Sequence, residues 1–132
     1  MKYQILVIED DPIFTFLLEK GIKASDIKGN ITTFTNGLPA ITYLKKEYIK
    51  ENNYVIFLDL NMPVMNGWKF MEHFETLANS SNCIVFILSS SGNKLDIENL
   101  IESPLVADFI LKPINETIFK RITKTIVSKF GE

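Results

Sequence analysis

The chain has 132 residues, 46% hydrophobic and 23% charged, which is the size and composition of one ordinary domain that folds in water. Its 14 Lys and Arg against 16 Asp and Glu give a net charge of −2, which excludes the basic footprint of nonspecific nucleic-acid binding. One cysteine, Cys83, rules out an internal disulfide, and with His73 as sole histidine it is too little for a closed zinc site. The first apolar run, Ile5 to Ile8, gives way to Glu9-Asp10-Asp11, too short and too acidic for a signal peptide or a membrane span. The expectation is a cytoplasmic protein, a single domain over 1–132 with no appended effector, no direct nucleic-acid contact and no membrane insertion.

Gly, Pro, Asn and Asp punctuate the chain into five short β-rich runs, each followed by a segment of helical spacing. The first strand is Tyr3 to Ile8. Asp11 then supplies an N-cap and Pro12 a first-turn proline for a helix whose apolar stripe is Ile13, Phe14, Leu17, Leu18 and Ile22. A second strand, Asn30 to Phe34, precedes a helix at about 37–50, and a third, Tyr54 to Leu58, precedes one at about 66–79. The fourth strand, Cys83 to Leu88, leads to a helix at about 93–102, and the fifth, Ala107 to Leu111, to a last helix. That helix opens at Asn115, carries Glu116 in its first turn and repeats Ile118, Ile122 and Ile126 beside Phe119 and Phe130. The central strands are nearly continuous Ile, Val, Leu and Phe, which implies burial on both faces. Such strands alternating with helices predict a doubly wound α/β sandwich, a parallel sheet with right-handed crossovers.

In open parallel sheets the chemistry lies just beyond the carboxyl ends of the strands. There the first strand delivers Glu9 and Asp10, the third Asp59, the fourth Ser89 and the fifth Lys112 followed by Pro113. Like charges about 4 Å apart repel by roughly 4 kcal/mol at an effective dielectric of 20, so three clustered carboxylates call for a cation. Hard oxygen ligands at a partly open site suit Mg2+, which keeps several waters and is commonly shared with a phosphate. Three carboxylates and one ammonium leave two net negative charges, which one Mg2+ cancels, and a phosphoryl group can then approach. A carboxylate nucleophile with a metal, a lysine and a hydroxyl is a full set of parts for forming an aspartyl phosphate.

These residues resemble the receiver domain of bacterial response regulators, and the resemblance covers the whole chain. Leu58-Asp59-Leu60-Asn61-Met62-Pro63-Val64-Met65-Asn66-Gly67 is similar to the phosphoacceptor loop of that family, which implies that Asp59 is phosphorylated. Ile8-Glu9-Asp10-Asp11-Pro12 resembles its acidic pocket, implying that Glu9 and Asp10 bind metal together with Asp59 and the main-chain carbonyl of Asn61. Ile87-Leu88-Ser89-Ser90 resembles the segment with the switch hydroxyl, and Leu111-Lys112-Pro113 the family's strand-five lysine with its usually cis proline, Pro113. Phe109 falls on the switch aromatic position. The implied fold is a flavodoxin-like (βα)5 sandwich whose five-stranded parallel sheet has the order 2-1-3-4-5. The implied function is a stand-alone phosphoacceptor of a two-component system, loaded from the phosphohistidine of a sensor histidine kinase or histidine phosphotransfer protein. It would act on a downstream protein target and catalyse only its own phosphorylation and dephosphorylation. The output surface is expected to include Leu105, Val106 and Phe109. Three departures stand out: Glu9 where Asp is common, Ser89 where Thr is commoner, and Asn66 where many members have Asp.

Other readings compete residue by residue. Asp11 is assigned to capping, and Ser90 and Ser91 compete with Ser89 because periodicity does not fix the strand end. Phe109 without a hydroxyl switches by packing alone, if it is not plain core. His73, Cys83 and Trp68 are read as structural, so the phosphodonor histidine lies on another protein. The six glycines, at 21, 29, 37, 67, 92 and 131, never fall two apart, so no G-x-G-x-x-G nucleotide motif exists, and no G-x-S-x-G hydrolase motif either. An aspartyl-nucleophile phosphatase usually has a second Asp where Asn61 stands. A pseudo-receiver that binds partners without phosphorylation is the alternative from another class.

Overall fold

Three strands are buried along almost their whole length, as their unbroken apolar runs demand. They are β1 (Tyr3–Ile8), β3 (Tyr54–Asp59) and β4 (Cys83–Ser89), and they form the centre of a parallel five-stranded sheet. Partly covered β2 (Gly29–Phe34) and β5 (Val106–Leu111) are the edges, giving the order β2-β1-β3-β4-β5 expected of the flavodoxin-like fold. The computed structural model describes residues 3–90, 98, 100 and 102–131. Among these lie four helices, α1 (Pro12–Ala24), α2 (Gly37–Glu47), α3 (Gly67–Leu77) and α4 (Glu116–Phe130). Of the helix expected at about 93–102, Glu98 and Leu100 are described as helical and Glu102 as a turn; the rest lies outside the described residues. No helix among the described residues is long and apolar enough to cross a membrane.

Side chains alternate across each strand, so the sheet divides the core in two. Leu6, Ile8, Ile56, Leu58, Val85 and Ile87 meet Ala40, Ile41 and Leu44 of α2 and Phe70, Met71 and Phe74 of α3. Their neighbours Ile5, Val7, Val55, Phe57, Phe86 and Leu88 meet Leu18 and Ile22 of α1 and Ile122 and Ile126 of α4. Each such side chain removed from water contributes about 1.5–3 kcal/mol.

Every described helix starts on a short polar cap, and each cap follows the carboxyl end of a strand. Asp11 accepts from the Ile13 and Phe14 amides at 3.0 and 3.4 Å. Asn36 accepts from Leu38 at 2.8 Å, Asn66 from Lys69 at 2.9 Å and Asn115 from Ile118 at 2.9 Å. Asn66 therefore does the capping work that an Asp would do at that position.

Two sequence expectations are corrected here. The buried stripe of α1 is Phe14, Leu18 and Ile22, spaced by four; Ile13 and Leu17 are turned one helical position away and are 71% and 57% exposed, beside Phe16 at 60%. The second helix ends at Glu47 rather than near 50, because Tyr48 leaves it in an extended conformation to stack on Tyr54 with ring centroids 5.1 Å apart.

Tyr48 belongs to a buried polar clamp at the amino ends of β3 and β4. Its hydroxyl donates to Asn82 Oδ1 at 2.7 Å, and Asn82 Nδ2 donates to the carbonyls of Lys50 and Asn52 at 3.0 and 2.8 Å. Cys83 is buried beside it, and burial pushes its thiol pKa up. Asn82→Ala removes four hydrogen bonds, one of them a weak one from the Cys83 thiol, at a residue only 5% exposed and is expected to cost about 2 kcal/mol. Urea unfolding should show a lower midpoint with an unchanged slope; an unchanged midpoint would mean that the clamp is idle.

Candidate functional site

The strand register sets the site. Ile8 pairs with Leu58, so Glu9 and Asp59 come one step later at the same level of adjacent strands. Asp59 pairs with Leu88, and Ser89 with Leu111, which brings Ser89 and Lys112 to the same edge. Alternation then sorts them by face. Glu9 continues Ile5 and Val7, and Asp59 continues Val55 and Phe57, so both point to the side covered by α1 and α4. Ser89 continues Val85 and Ile87 on the opposite face, where half-buried Phe109, paired in register with Ile87, also packs.

Lys112 joins the first group. Its Nζ lies 2.6 Å from Glu9 Oε1 and 3.8 Å from Asp59 Oδ2. The ring of Phe14 lies under the same ammonium, 4.6 Å from nitrogen to centroid. Glu9 is 3% and Asp59 4% exposed, so both carboxylates have given up most of their water. Glu9 Oε2 recovers a hydrogen bond from the Asp11 amide at 3.1 Å, and Asp59 Oδ1 one from the Asn61 amide at 3.3 Å. These are insufficient: burial, opposed by Lys112, pushes the Glu9 pKa up to about 7, and burial, opposed by Lys112, also raises that of Asp59.

The remaining expected residues are placed as follows. Asp10 is exposed at the rim, and Glu9, Asp10 and Asp59 each bring a carboxylate oxygen within 4.8 Å of the others. Ser89 is 7% exposed, whereas Ser90 is exposed and Ser91 lies outside the described residues. The Lys112–Pro113 peptide bond is cis. Asp11 caps α1 and stays out of the cluster, and His73 and Trp68, both half-buried on α3, are likewise no part of it. Leu105, expected at the output surface, is only 4% exposed and belongs to the core beneath α2 and α3; Leu111, 55% exposed, is the large apolar residue that β5 shows to solvent, beside exposed Ala107. Phe14 is the neighbour that sequence spacing missed. Its place in the stripe with Leu18 and Ile22 explains it as core, and nothing in that spacing reveals the ammonium over its ring.

The loop after Asp59 is tied down by main chain. Gly67 N–H donates to the Leu60 carbonyl at 3.0 Å and Gly37 N–H to that of Met65 at 2.9 Å. A Cβ on Gly67 would meet the Asp59 carbonyl oxygen at 2.6 Å and Leu60 Cα at 2.9 Å, so the close approach of α3 to the strand end requires glycine there. Val64, 81% exposed, holds a left-handed φ of 69°, a conformation that costs a β-branched residue energy.

The donor set suits a hard divalent cation. Three carboxylates converge against a single ammonium, and buried Glu9 Oε1 has no hydrogen bond of good geometry among the described residues besides its ion pair with Lys112.

Comparison with known proteins agrees with the geometry. The family model of the response regulator receiver domain matches residues 5–124. The two-component response regulator ARR11 of Arabidopsis thaliana is 27% identical over 126 residues, which is 96% of this chain and 23% of that protein. The chain thus spans less than a quarter of the length of ARR11. A two component response regulator from Cytophaga hutchinsonii superposes with a TM-score of 0.81 at 26% identity, covering 97% of this chain and 99% of the other. The Mn(2+)-bound form of response regulator Rcp1 superposes with a TM-score of 0.72 at 25% identity, covering 98% and 95%.

Two measurements probe this site. Glu9 holds its proton more tightly folded than unfolded, so its contribution to stability is full below about pH 4.5 and is lost as pH rises through about 7. Without divalent cations the wild type should melt at a lower temperature near pH 8 than near pH 5. Glu9→Gln should narrow that gap, and an undiminished gap would contradict the assignment. Gly67→Ala forces a methyl group against main chain and should lower stability by about 1–3 kcal/mol in urea titrations, whereas a neutral result would show that the loop yields.

Proposed function

The chain belongs to the response regulator receiver family, and we propose that it works as a phosphoacceptor of a two-component system, with Asp59 as the acceptor. The observation that carries the reading is the triad at one level of one sheet face: Asp59 and Glu9 side by side, with the Lys112 ammonium 3.8 and 2.6 Å away. The carboxylates of Glu9, Asp10 and Asp59 and the main-chain carbonyl of Asn61 would hold Mg2+. When bound, Mg2+ supplies positive charge that offsets the carboxylates and the incoming phosphoryl oxygens.

The chain's own residues do the rest. An Asp59 carboxylate oxygen forms a bond to phosphorus as the P–N bond of a phosphohistidine breaks and the histidine nitrogen takes a proton. The donor is a sensor histidine kinase or histidine phosphotransfer protein. Lys112 pairs with a phosphoryl oxygen, and Ser89 donates its hydroxyl to another. Water later breaks the acyl phosphate, releasing inorganic phosphate and restoring the carboxylate. The chain is therefore no enzyme toward outside substrates. Its cysteine, free of any disulfide, fits a cytoplasmic location.

Output runs through protein contact. Drawing Ser89 toward the phosphoryl group leaves space on the face it shares with Phe109, whose repacking biases the surface around Val106, Phe109 and Leu111 toward a downstream target.

Intact-mass spectrometry after incubation with acetyl phosphate tests the reading. The wild type should gain one phosphoryl group with Mg2+ and little without it, and Asp59→Asn should gain none. A wild type that stays unmodified with Mg2+ present would point instead to a pseudo-receiver that acts by binding alone.

A further inference from the structure

Lys112 must hold its ammonium at one spot, yet its four-carbon stem is flexible and its two carboxylate neighbours lie at unequal distances of 2.6 and 3.8 Å. Both carboxylates attract it from the strand ends. The Phe14 ring, at 4.6 Å, is the third wall, and a cation within about 6 Å of a ring centroid is drawn to its negative face. The lysine side chain retains only 19% of its exposure between them.

The ring is itself fixed. Phe14 is the third residue of α1, after Pro12 with its restricted φ, and its amide donates to Asp11, the cap. One edge of the residue packs on the core shared by α1 and α4. That core takes aromatic and aliphatic side chains alike, Phe57 and Phe86 beside Leu18 and Ile22, so what sets Phe14 apart is the ammonium over its ring.

Resting on the receiver reading above, we infer that Phe14 is a positioning residue, whose ring seats the Lys112 ammonium beside Glu9 and Asp59 where a phosphoryl oxygen arrives. It touches no phosphoryl group and acts through the lysine. The chain of cause runs from the Asp11 cap to the ring, from the ring to the ammonium, and from the ammonium to the acceptor.

The test compares wild type, Phe14→Leu and Phe14→Tyr, each first checked by thermal melting. Proton NMR reads the contact directly: ring current should shift the Lys112 Cε protons upfield in wild type and Tyr, and Leu should abolish the shift. Phosphorylation by acetyl phosphate under saturating Mg2+ reads the role. Leu should lower the limiting rate about tenfold with donor KM within about twofold of wild type, and Tyr should restore the rate. Absence of the upfield shift in wild type overturns the contact. A phosphorylated wild type matched by Leu, or a Tyr variant as slow as Leu, overturns the role while leaving the receiver reading standing. A wild type that takes no phosphoryl group overturns the receiver reading and the role together, and the NMR shift still decides the contact.

Discussion

Three carboxylates and one ammonium crowded at the carboxyl edge of a parallel sheet are the constraint on which this molecule turns. In water such acids would separate; here the register of β1 against β3 holds Glu9 and Asp59 level, and the apolar runs behind them fix that register. Sliding either strand by one residue would turn its acid to the other face, away from Lys112. The hydrophobic core thus supplies the force that keeps like charges together, and Lys112 offsets only part of their repulsion. Burial also strips both acids of water and raises their carboxyl pKa values, and a positive charge brought beside them would offset that cost.

The helices reinforce the same edge. Asp11, Asn36, Asn66 and Asn115 each begin a helix where a strand or its loop ends, so four helix amino termini lie at the carboxyl edge of the sheet, the edge that carries the acids. The main-chain amides of Asp11 and Asn61 ease the burial of Glu9 and Asp59. Gly67 and Gly37 let two of those helix starts approach the loop after Asp59 closely enough for main-chain hydrogen bonds to lock it.

Much of this was legible in the order of residues. Continuous Ile, Val, Leu and Phe marked β1, β3 and β4 as doubly buried, and Asp11 and Asn115 marked the starts of the first and last helices, while the caps Asn36 and Asn66 went unread. The strand order came from resemblance to a family, since alternation of strands and helices alone leaves several windings open. The edge acids were legible because each follows an apolar run. What stayed hidden depends on rotation and tertiary contact. A helix of mixed apolar residues does not say which of Ile13 and Phe14 faces inward, and Leu105 looked like surface only because nothing in its neighbours showed the core beneath it. The Tyr48–Asn82 clamp joins residues 34 positions apart, beyond the reach of any local pattern.

The division of the sheet into two faces has an outcome of its own. Asp59, Glu9 and Lys112 occupy the α1 and α4 layer, while Ser89 and Phe109 occupy the layer beneath α2 and α3. A single thickness of backbone separates the place where a charge would be laid down from the place where it would be noticed. The proposed chemistry needs both layers, because the Ser89 hydroxyl would reach from the second to a phosphoryl group on the first, whereas Phe109 belongs to the second alone. The fold is in that sense two half-molecules glued back to back, with Ser89 as the stitch between them.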